Sequence, residues 1–261
     1  MAETKPIRLA FKDASALLNP VQPAETSLSE RFMPLAAAID AAYRERFGST
    51  ERGANDAIAA AVAIGDFLDV AARLDETYGA DNALPAEDAA DAADEALRRA
   101  TELDPWLDRF ELSTWRPALY AVMLGIGLWA MRHQLPLATA EPIVNALAFR
   151  ANEATTKQET AATYALMQGF IAHLAPQLGT DLERSNPERP WRLLNLNFAI
   201  TAIRTGDATL MRFAFDTLNA HLPDERAGFY EEAYAVASQP GLPPDTRALI
   251  EDEHARWTRV H

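Results

Sequence analysis

The sequence predicts an all-α protein of about ten helices, paired as antiparallel hairpins and stacked as a helical repeat or an irregular bundle. Three observations predict it. Helix-length amphipathic runs follow one another from residue 27 onward, and glycine or proline closes almost every one. No segment alternates apolar and polar residues long enough for a strand, and β-branched residues are sparse. The apolar side of residues 86–103 is mostly alanine, so a helix packed on it can approach closely.

The elements follow in order. Residues 1–27 carry Pro6, Pro20 and Pro23 without a sustained helical period, so an extended N-terminal arm is expected. Ser27 or Ser29 caps a first helix that runs to Phe47, where Gly48 ends it; Pro34 must lie in its opening turns or bend it. Asn55 caps a second helix, which runs to Tyr78 and stops at Gly79, with Gly65 as a weak point inside it. After a loop at 80–85, a third helix spans 86–103 and is ended by Pro105. The stretch 104–116 concentrates Trp106, Phe110 and Trp115 and reads as an irregular hinge between an N-terminal layer, 28–110, and a C-terminal layer, 111–261.

A fourth helix, 117–133, is the most apolar stretch. Its apolar run is too short for the roughly 20 residues that cross a bilayer, so a buried central helix is expected. Thr139 caps a fifth helix (140–152), and a sixth covers 156–174. Asn186-Pro187 signals the start of a seventh, which ends at Thr205. Asp207 caps the next, to His221; Pro223 opens another, to Ser238; a last helix spans 245–260.

Composition narrows the function. The chain has 261 residues, no cysteine and a formal charge of −14. Disulfides, thiolate metal sites and cysteine nucleophiles are excluded. A field of that sign repels phosphate backbones, so no nucleic-acid partner is expected, and a basic protein or peptide suits it better. The charged first dozen residues contain no signal-peptide core, so a cytoplasmic protein without a membrane partner is expected. Lysine occurs only at Lys5, Lys12 and Lys157, which with the alanine content reads as the coding bias of a GC-rich bacterium.

Residues 192–223 carry a large and a small apolar residue, Phe198 and Ala199, in one helix. They continue with a tight turn at Gly206-Asp207, an aromatic at Phe215 and a closing Pro223. This segment resembles a tetratricopeptide repeat; Asn195, Ala202 and Met211 depart from that pattern. Residues 95–105, with Ala93, Leu97, Ala100 and Pro105 in register, resemble the closing half of such a repeat. Gly206 and Gly241 stand 35 residues apart, a helical-repeat period that makes 224–258 a plausible neighbour. The resemblance implies stacked hairpins and a protein-binding role.

Catalytic signatures are missing. Glu251-x-x-His254 is the single Glu-x-x-His spacing, where a di-iron centre needs two, so it reads as a solvated face. The acidic run Glu87, Asp88, Asp91, Asp94, Glu95 lacks the adjacent aspartate pair of a metal-diphosphate site and reads as an outer face. Gly125-x-Gly127 lies inside an apolar helix and reads as a close helix contact rather than a nucleotide loop. No metal and no cofactor are expected.

Trp191, flanked by Arg189 and Arg192, and Trp257, beside Arg256, have the composition of interface anchors. The hairpin residues Leu193, Leu196, Asn197, Ile200 and Ile203 are too apolar for water; either the sixth helix covers them or a partner does. The expected partner surface is therefore Trp191, Arg192, Leu196, Asn197, Ile200 and Trp257. The expected function is a non-catalytic scaffold or adaptor. A helical domain with a ligand pocket near His133 or His173, or a homo-oligomer subunit joined by its arm, are the alternatives.

Overall fold

A computed structural model describes residues 27–48, 56–84, 86–180, 182–238 and 242–258. Among them there are ten α-helices and no strand. The expected arm, up to residue 26, lies outside the described residues. The chain divides into two compact units, Met1–Ala146 and Leu147–His261.

In the first unit four helices close on themselves. They are α1 (Leu28–Phe47), α2 (Ala57–Tyr78), α3 (Ala86–Arg109) and α4 (Arg116–Arg132). α1 packs on α2, α2 on α3, α3 on α4 and α4 back on α1. Ser27 and Glu30 form a reciprocal capping box at the start of α1, and Gly48 ends it with φ 70°. Phe32, Leu35, Ile39 and Tyr43 are its buried stripe. Pro34 lies inside α1 without ending it. α2 is capped by the carboxylate of Asp56, which accepts from the Ala59 amide at 2.7 Å; the expected cap, Asn55, lies outside the described residues. α2 runs unbroken through Gly65.

Two expectations in this unit are corrected. Pro105 does not end α3, which continues to Arg109. The ring costs about 3 kcal/mol inside a helix. Leu103 and Leu107, both fully buried, offset that at about 1.5–3 kcal/mol each. The aromatic stretch is therefore more regular than expected: residues 104–109 are helical, and the short 3-10 turn Ser113–Trp115 leads directly into α4. Arg116 fastens this corner through Asp104 at 2.8 Å and Asp108 at 2.9 Å.

The second correction concerns the acidic face of α3. Asp88 and Asp91 are exposed, but Asp94 is buried. Its carboxylate accepts from the amides of Ala138 (3.0 Å) and Thr139 (2.7 Å) and pins the segment after α4. The glycine reading holds at Gly125: a Cβ there would stand 2.4 Å from Leu28 Cδ2, so a larger residue would have to push the Leu28 side chain aside where α1 meets α4.

α5 (Glu141–Glu153) crosses the division between the units. The second unit is an open array of α6 (Lys157–Leu178), α7 (Pro190–Thr205), α8 (Ala208–His221), α9 (Arg226–Ala237) and α10 (Pro244–Thr258). α6 packs on α7, α7 on α8, α8 on α10, and α10 on α9. Thr156 and Glu159 form the capping box of α6, which carries Pro176 within its last turn. α7 starts at Pro190, later than Asn186-Pro187 indicated. Asn186 instead folds a local turn, its side chain accepting from the Glu188 amide at 2.9 Å. Gly206 at φ 68° and the Asp207 cap turn α7 back into α8. Pro223 opens a 3-10 turn, Pro223–Glu225, before α9 begins at Arg226.

Candidate functional site

The hairpin α7–α8 carries most of the sequence-predicted surface. Its core is Phe198, stacked on Tyr164 of α6 at 4.6 Å between ring centroids, together with Thr201 against Met167. α6 therefore covers one side of α7. Leu193, Leu196, Asn197 and Ile203 remain half-buried, and Ile200 is 46% exposed. On α8, Met211, Ala214, Phe215 and Leu218 form the buried stripe. Phe213 falls outside that period and is 47% exposed, its ring edge-on to Phe198 at 6.3 Å. Sequence reasoning missed Phe213, although its phase against the 211–214–215–218 series was readable.

Trp191 is not at a surface. It is 2% exposed, and its ring lies 4.8 Å from that of His221. Arg192 is engaged as well, gripping the Glu225 carboxylate with Nε at 2.7 Å and Nη2 at 3.0 Å, while Nη1 donates to the Pro187 carbonyl. Such a fork fixes geometry as well as charge.

Asn195 stands where the repeat pattern has an aromatic. It donates to the Trp191 carbonyl at 2.8 Å and accepts from His221 Nδ1 at 2.8 Å. His221 Nδ1 is thus the donor, and burial pushes its pKa down.

A second polar chain joins α8, α9 and α10. Asn219 donates to Glu253 at 3.3 Å and accepts from the Tyr230 hydroxyl at 3.2 Å. Burial first, then the Glu253 charge, pushes the Tyr230 pKa up. Arg226 donates to the Asn219 carbonyl. Trp257 is half-buried, donates to Glu253 at 2.7 Å and lies under the guanidinium groups of Arg226 (4.5 Å) and Arg256 (4.9 Å). These groups are spent on one another, and the arrangement ties helix to helix.

The remaining candidates are placed as follows. Glu251 is exposed, and His254 stacks face to face on Tyr234 at 4.3 Å. Among the described residues no three His, Asp or Glu side chains converge as metal ligands. His173 is half-buried on α6. His133 is fully buried, with Nε2 2.7 Å from Asp75 Oδ1 and Nδ1 2.5 Å from the Asn82 carbonyl. Among the described residues no helix is long and apolar enough to cross a membrane. No protein-family model, no curated protein and no solved structure matches this chain.

Proposed function

We propose that the protein is a non-catalytic scaffold or adaptor that holds another protein, or a segment of one, on the α7–α8 hairpin. The observation that carries this reading is the pair Ile200 and Phe213. Two large apolar side chains, each nearly half exposed, project from the two helices of one hairpin. Leu196 and Asn197 lie half-buried on the same helix as Ile200. The resemblance of residues 192–223 to a tetratricopeptide repeat supports the same role. A basic partner fits the charge of −14, and composition favours the cytoplasm of a GC-rich bacterium.

The test is capture from the native host with wild type and with the double variant Ile200→Asp, Phe213→Asp. The expected result is a protein that binds wild type in stoichiometric amount and is lost with the double variant, while circular dichroism and melting stay unchanged. Equal capture by both, or turnover of a small molecule by either, defeats the reading.

A further inference from the structure

We draw no further inference here: the strongest candidate, the surface patch where α1 and α3 end, with Phe47 exposed edge-on to Trp106 and Arg109 lying over that indole, is met by the exposed carboxylates of Glu45 and Glu111 as well as by its arginines, and nothing in the structure shows what covers it.

Discussion

The two units solve the same problem of burying helix stripes in different ways. In the first, four helices form a closed circuit, with each helix flanked by two others. In the second, contacts run from α6 through α7 to α8, and α8 meets α9 and α10 together. The closed unit turns its glycine and its buried carboxylate inward, as the Leu28–Gly125 approach and the Asp94 pin show. The open unit leaves Ile200 and Phe213 at its surface and spends its polar residues joining one helix to the next. Closure favours all-or-none behaviour, whereas an open array of nearest-neighbour contacts favours graded loss.

The strongest way to break this comparison is to hollow out each core. Phe198→Ala should cost about 3–5 kcal/mol and Leu97→Ala about 2–5 kcal/mol, read from denaturant unfolding. Native-state hydrogen exchange then separates the units. Leu97→Ala should lower protection in α1 to α4 together, while Phe198→Ala should strip α7 and its neighbours before α9 and α10. Uniform loss across the second unit would remove the distinction.

A smaller effect sharpens the closed side. Gly125→Ala drives a methyl into Leu28 and should destabilise by about 1–3 kcal/mol, as overpacking does. Adding Leu28→Ala should return part of that loss in a double-mutant cycle. Additive losses would mean that the helices do not meet there.

Protons should discriminate next. His221 has its folded pKa lowered by burial, so the unfolded chain takes up the proton first. Its contribution is complete above the ordinary histidine value of about 6.5 and is lost as pH falls through it. Protection of the α8 amides, relative to their intrinsic exchange rates, should therefore fall on mild acidification, and His221→Gln should flatten that response.

The smallest expected effect is at the surface. Arg98→Ala breaks an exposed pair with Glu95 and should change the midpoint by less than about 0.5 kcal/mol. A larger loss would show that α3 leans on its outer charges rather than on its buried stripe.

Much of the fold was legible in the residues. Gly48, Gly79 and Gly206 end helices through positive φ, which glycine adopts most easily, and their positions were readable. Ser27, Thr156 and Asp207 act through local caps, although Thr156 was not singled out. What failed was punctuation by proline. Pro105 is overridden by the burial of Leu103 and Leu107, a tertiary effect that no local window contains. Pro187 and Pro190 carry the same start signal, and packing chooses the later one.

The site was less legible. Ile200 stands exposed as expected, but Trp191 lies under His221 and Arg192 is tied to Glu225. Tryptophan beside arginine looks the same whether it anchors a partner or a neighbouring helix. Only the second helix of the hairpin, which brings His221 back over Trp191, settles which.

The seams between hairpins in the second unit have a further consequence. A hairpin that leans only on the one before it can be duplicated or deleted at the expense of a single seam, leaving the older joints untouched. In this chain α8 meets both α9 and α10, so removing that last pair of helices would uncover Phe215 together with Asn219.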